Sequence, residues 1–212
     1  MDTRPNMNDV VGTHDILLIT LDTLRYDVAD RLAREGRTPN LAAVLPDGRW
    51  ERRHAPASFT YASHLAMLAG FLPTPAAPGP HPRLFAAAFP GSATTDEYTW
   101  TFTAPDLPTA LAEVGYHTAC VGGTGFFNRR SALGSVLPDL FAESRWEPSF
   151  GVTEPASFEH QVACATGIIA ATPAQQPLFL LVNVAALHQQ LVLPAWGDPR
   201  GRGLACQPRR RP

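Results

Sequence analysis

The sequence predicts an α/β fold, a mainly parallel sheet flanked by helices on both faces, and three observations carry that expectation. Apolar runs at Ile16–Leu21 and Leu178–Ala186 are long enough for strands and too short to span a bilayer. Segments of helical periodicity, such as Ser157–Ala171, alternate with them along the chain. The runs are apolar throughout instead of alternating with polar residues, which is the pattern of strands covered on both faces in a parallel sheet.

Residues 1–13 read as a flexible leader, 14–196 as the α/β domain and 197–212 as a disordered basic tail. Asp15–Asp22 reads as a buried strand that delivers a carboxylate, Asp22, at its carboxyl end. Thr23–Arg34 follows as a helix that Thr23 would cap. Pro39–Leu45 suits a short helix with proline in its first turn. Trp50–Ala57 reads as a second strand carrying Arg52, Arg53 and His54. A helix from Thr60 to Ala69 opens after a break at Pro56 and stops at Gly70. The Pro, Gly and Ala content from Pro73 to Pro90 predicts a long irregular loop, and Thr94–Thr103 an extra edge strand. Leu107–Val114 is a helix ended by Gly115, and Tyr116–Val121 a strand closing on Gly122-Gly123-Thr124-Gly125. The helix Ser157–Ala171 and the strand Leu178–Ala186 complete the alternation, with no internal repeat.

Composition excludes several classes. A chain of 212 residues, 45% apolar, suffices for one domain that buries roughly 70% of its unfolded surface. A net charge of −2 argues against a nucleic-acid or membrane-surface partner. Every basic residue is Arg and none is Lys. That rules out a Schiff-base lysine and a P-loop lysine, and with the latter a Walker-type NTPase. Cys120, Cys164 and Cys206 are odd in number and form no CxxC pair, as expected of thiols in a reducing compartment. The polar N-terminus has no apolar signal run, so the expected location is cytoplasmic.

Thr60 places a hydroxyl at a helix N-terminus, where backbone N–H groups and the positive end of the helix dipole favour an anion. Asp22 should lie at a strand's carboxyl end, where ligands gather in open parallel sheets. A carboxylate and such a hydroxyl are what metal-assisted attack on a phosphoryl or sulfuryl group requires. Each has a plainer reading as an ordinary helix cap.

Leu21-Asp22-Thr23-Leu24-Arg25-Tyr26-Asp27, Thr38-Pro39-Asn40-Leu41 and the Thr60–Gly70 stretch followed by Leu72-Pro73 together resemble the N-terminal half of the alkaline phosphatase/sulfatase superfamily. In sulfatases the position of Thr60 is a cysteine or serine converted to formylglycine. In nucleotide pyrophosphatase/phosphodiesterases it is an unmodified threonine, so the resemblance is to the threonine branch. It implies an alkaline-phosphatase-like fold and a hydrolase of phosphate mono- or diesters (a small-molecule phosphate or sulfate ester) with Thr60 as nucleophile. It also implies a divalent metal held by Asp22 and Thr60, zinc foremost, with calcium, manganese or magnesium as alternatives.

Three further residues are candidates, His188 and His64 through this resemblance and Arg25 through its own chemistry. His188, after the strand Leu178–Ala186, stands where the superfamily often has a histidine meeting substrate or metal. Arg25 could orient a phosphate oxygen, against the plainer reading of an ion pair with Asp27 or Asp30. His64, one turn beyond Thr60, is a substrate-side candidate or an architectural residue. Gly115-Tyr116-His117-Thr118 matches a sulfatase segment, but the lysine and histidine that follow it there have no counterpart at Gly122–Gly125, which disfavours sulfatase activity.

The superfamily completes its metal site downstream with Asp-His-Gly and a further histidine. After His188 this chain has no histidine, and its one acidic residue is Asp198. The stretch from Gly197 reads as a disordered basic tail or as out-of-frame translation. The expectation is therefore an incomplete metal site and impaired activity. The alternatives are a non-catalytic truncated relative or a phosphoryl-substituent transferase of the same superfamily.

Overall fold

The computed structural model describes residues 6–70, 85–87, 100–102 and 106–188. A four-stranded, all-parallel sheet organises the molecule. Its strands are β1 (Ile16–Leu21), β4 (His117–Val121), β5 (Glu143–Arg145) and β6 (Leu178–Val184), in the order β1-β6-β4-β5. Phe85–Ala87 (β2) and Trp100–Phe102 (β3) form a separate parallel pair.

β6 is central, and all its residues are buried. That is why its sequence, Leu-Phe-Leu-Leu-Val-Asn-Val, has almost no polar alternation. It pairs on one side with β1, Leu18 opposite Leu181, and on the other with β4, Cys120 opposite Leu181. Side chains alternate across the pleat and build two cores. On one face Phe179, Leu181 and Cys120 meet Tyr61, Leu65 and Leu68 of α4 (Thr60–Ala69) and Leu111 of α5 (Leu107–Glu113). On the other, Leu180, Val182, Ala119 and Val121 meet Phe150, in the turn Pro148–Phe150, and Ile168 of α7 (Ser157–Ala171). The expected parallel sheet with helices on both faces is therefore present.

Local chemistry explains where the elements stop. Gly70 ends α4 in the left-handed region (φ 77°), a conformation that glycine adopts without a Cβ penalty. Asp106 caps α5 by accepting from the Thr109 N–H at 2.8 Å. Asp15 Oδ1 accepts from the Leu178 N–H at 2.8 Å, which pins the start of β6 beside β1. Gly123 lets β4 and β6 run close together at their carboxyl ends. A Cβ there would lie 2.5 Å from the Asn183 carbonyl oxygen and 2.6 Å from the Ala185 Cβ. Backbone cannot yield as a flexible side chain does, so Gly123→Ala should cost about 1–3 kcal/mol. Urea denaturation tests this, and an unchanged midpoint would contradict so close an approach.

Several expectations are corrected. Trp50–Ala57 forms no strand, because Glu51-Arg52-Arg53-His54 offers no apolar face to bury. The second helix, α2 (Tyr26–Arg34), begins after the predicted Thr23, and its N-cap is Arg25. β1 is not buried on both faces, since Leu17 and Ile19 are 55% and 52% exposed. Residues 6–13 are not a loose leader. They hold a short helix, α1 (Met7–Val10), and the Tyr116 hydroxyl ties them down by accepting from the Gly12 N–H at 2.9 Å and donating to the His14 carbonyl at 2.8 Å. β2 falls inside the predicted Pro73–Pro90 loop, and β3 inside the predicted edge strand pairs with β2 instead of the main sheet.

Pro39–Leu45 is helical as α3 (Pro39–Val44), and α6 (Ala132–Val136) is an additional short helix. The rest of the predicted loop and the tail 197–212 lie outside the described residues. Among the described residues no helix is long and apolar enough to cross a membrane.

Candidate active site

The carboxyl ends of β1 and β6 lie side by side, and the Asp22 N–H continues the ladder by donating to the Val184 carbonyl at 3.0 Å. The chain then turns sharply. Thr23 has φ 62°, an unfavourable region for a β-branched residue and costly enough to need support from its surroundings. The support is visible: the Thr23 hydroxyl donates to the Leu187 carbonyl at 2.7 Å. This bond ties the turn after β1 to the turn after β6 and fixes the Asp22 backbone, so Thr23 is a strap between strand ends and not the helix cap expected of it.

Asp22 and Thr60, far apart in sequence, are brought into contact: the Thr60 hydroxyl donates to Asp22 Oδ2 at 2.9 Å. Thr60 is the first residue of α4, and its N-cap, Phe59, supplies no capping side chain. The helix N-terminus therefore points its dipole at this pair without a side-chain cap of its own. Thr60 is 9% exposed and Asp22 is half-buried.

Behind the pair lies a polar network whose bonds run in one direction. His64 reaches the Thr60 carbonyl through Nδ1 at 2.8 Å and the Thr20 hydroxyl through Nε2 at 2.9 Å. A carbonyl only accepts, so Nδ1 carries the proton, and the neutral ring accepts from Thr20 at Nε2. With its proton so used, the Thr20 oxygen accepts from Asn183 Nδ2 at 3.1 Å, and the same amide nitrogen lies 3.3 Å from Asp22 Oδ2. That assignment leaves Asn183 Oδ1 buried without a partner in a residue 0% exposed.

Burial pushes the His64 pKa below its ordinary value, against smaller upward pulls from the Thr60 carbonyl and the Asp22 charge. The native state thus takes up this proton later than the unfolded chain does. The stability it contributes is complete above the free imidazole value of about 6.5 and is lost as pH falls through the lowered native value. Melting temperatures of the chain and of His64→Gln across this range should therefore show a steeper acid-side decline in the unmutated protein. Parallel curves would remove His64 as the titrating group.

The other expected site residues fare differently. The Arg25 guanidinium is bidentate to the Asp27 carboxylate, at 3.0 and 2.7 Å, and the pair is exposed. This is the ion-pair reading, and it leaves Arg25 committed elsewhere than to Asp22 and Thr60. His64 reaches the pair through the Thr60 carbonyl and the Thr20 hydroxyl. His188 is exposed in the turn after β6, where its N–H donates to the Ala185 carbonyl at 2.9 Å. It shares the sheet edge with Asp22, and no side-chain bond joins it to the network among the described residues.

Sequence reasoning missed Asn183 and Thr20. The available signal was a lone amide in the otherwise apolar run of β6, which is costly to bury unless it is hydrogen-bonded.

No family model, curated protein or solved structure matches this chain.

Proposed function

We propose that this chain is a hydrolase of phosphate mono- or diesters in which the Thr60 oxygen is the nucleophile. The observation that carries this reading is the 2.9 Å bond from the Thr60 hydroxyl to Asp22 at a helix N-terminus without a side-chain cap. In the first step the Thr60 oxygen bonds to phosphorus, the bond from phosphorus to the ester oxygen breaks, and that oxygen departs as an alkoxide or aryloxide that takes its proton from water. The Thr60 proton passes to the Asp22 carboxylate, which already accepts it in a hydrogen bond. Water then hydrolyses the phosphothreonine and regenerates the hydroxyl. The α4 N-terminus favours the anionic phosphoryl oxygens throughout.

The donor set bears on the metal. Asp22 and Thr60 both offer oxygens, and no group of three His, Cys, Asp or Glu side chains suited to a metal occurs among the described residues. That set fits a hard cation such as magnesium, manganese or calcium, with water and substrate oxygens completing its shell. Zinc also takes carboxylate oxygens but favours nitrogen and sulfur ligands beside them, so it is kept as the alternative cation. When bound, the cation supplies charge neutralisation at the phosphoryl oxygens. The same small donor set favours, as a second reading, a relative that keeps the sheet and binds metal weakly. We place the enzyme in the cytoplasm, in keeping with the free thiols of Cys120 and Cys164.

The test uses an aryl phosphate at protein concentrations near stoichiometric, with each divalent cation in turn and with a chelator. The expected result is cation-dependent release of the aryl alcohol. It should be reduced in Asp22→Asn and partly recovered by excess cation. Absence of any cation-dependent release favours the weak-binding relative.

A further inference from the structure

The turn after β1 is closed by a residue that such turns do not favour. The Leu24 N–H donates to the Leu21 carbonyl at 3.2 Å, which makes Asp22 and Thr23 the central pair of a β-turn. Thr23 has a positive φ and Asp22 does not. That is the type II pattern, whose second central residue is ordinarily glycine or asparagine. Among the described residues three non-glycine residues have positive φ, and Thr23 alone of them is β-branched.

Stability does not explain the threonine. Left-handed backbone lowers the folding constant of such a residue by roughly five- to a hundredfold. The bond from its hydroxyl to the Leu187 carbonyl is exposed, and a neutral bond of that kind restores only about two- to tenfold. Glycine would relieve the strain at the same place. What glycine cannot supply is the tie. The Asp22 N–H is held by the Val184 carbonyl, and the next residue is fastened to Leu187, three residues further along the segment that leaves β6. With both anchors on that segment, the carboxylate that accepts from Thr60 is fixed relative to the sheet and is not carried on a free turn.

We propose that Thr23 is a positioning residue, which holds the Asp22 carboxylate against the Thr60 hydroxyl at a net cost in stability. Its effect on turnover rests on the hydrolase reading. Its effect on the Asp22–Thr60 bond does not.

The experiment therefore has two arms, run on the full chain in three backgrounds: unmutated, Thr23→Ser, which keeps the hydroxyl, and Thr23→Gly, which removes hydroxyl and strain together. In the first arm Asp22→Ala and Thr60→Val form a double-mutant cycle, followed by urea unfolding. Their coupling should be about tenfold in the unfolding constant for the unmutated and serine backgrounds, and about twofold or less for glycine. Thr23→Gly itself should unfold within about threefold of the unmutated constant, since relief of strain offsets the lost bond and the extra freedom of glycine in the unfolded chain. A residue of merely structural value would show the reverse, lost stability with the coupling intact. In the second arm an aryl phosphate and a divalent cation are added and the rate of adduct formation is read. Thr23→Gly should be at least about tenfold slower at saturating ester with an unchanged half-saturating concentration, the mark of a displaced reacting group, and Thr23→Ser should recover most of the rate. Coupling that survives in Thr23→Gly, a loss of stability there of about tenfold or more, or an undiminished adduct rate would each overturn the proposal. No adduct from the unmutated chain would overturn the hydrolase reading alone, and the first arm would still decide the role of Thr23.

Discussion

Thr60→Ala is expected to remove the covalent phosphoryl adduct completely, whereas Thr60→Ser should retain it. Mixing the chain with an aryl phosphate and a divalent cation, quenching in acid and mapping peptides by mass reads this directly. The alanine variant loses the oxygen proposed to bond to phosphorus, and loss of a nucleophile typically lowers turnover by on the order of 10³-fold or more. Serine keeps the oxygen and loses a methyl group, so its adduct should form within about tenfold of the unmutated rate, a change of about 1.4 kcal/mol in the barrier. The alanine change also removes a hydrogen bond to a carboxylate, worth about 1.5–3 kcal/mol, so the fold of the variant is to be checked by circular dichroism. An adduct that persists in Thr60→Ala, or forms on another residue, would sink the assignment.

Phe179→Ala should be the most damaging single truncation in the sheet. Phe179 is 0% exposed, and its ring lies 5.8 Å from that of Phe141 in a stacked arrangement. Removing a buried phenyl ring costs about 3–5 kcal/mol through lost transfer energy and the cavity left behind. Domains are stable by only about 5–15 kcal/mol in total. Urea midpoints should fall sharply, while Leu17→Ala, on the half-exposed β1 of the same sheet, should stay within about 1 kcal/mol. Equal losses at both positions would mean that the two faces of β1 and the centre of β6 are not as differently buried as described.

The parts of the fold that were legible in the sequence are those whose signal is local. β6 announces itself because central parallel strands are apolar throughout, and α4 because Thr60–Ala69 is a run of good helix formers closed by Gly70. β5 was invisible, since Glu143-Ser144-Arg145 has no apolar signature and becomes a strand by pairing with β4. Trp50–Ala57 erred the other way, as a charged run given a strand it had no face to build. At the site, Asp22 and Thr60 were legible as a strand end and a helix start. Their contact is tertiary, and it needed the Thr23 strap to be fixed. Thr20 and Asn183 were hidden because a polar side chain within a strand shows its purpose only once its partners on another element are known.

The one-way chain of bonds from Asn183 through Thr20 and His64 to the Thr60 carbonyl has a consequence for how such a sequence can drift. Reversing any bond, or replacing one member by an apolar side chain, strands a donor or an acceptor on its neighbour. Substitutions at positions 20, 64 and 183 should therefore be coupled, a combined apolar replacement costing less stability than the sum of the single ones.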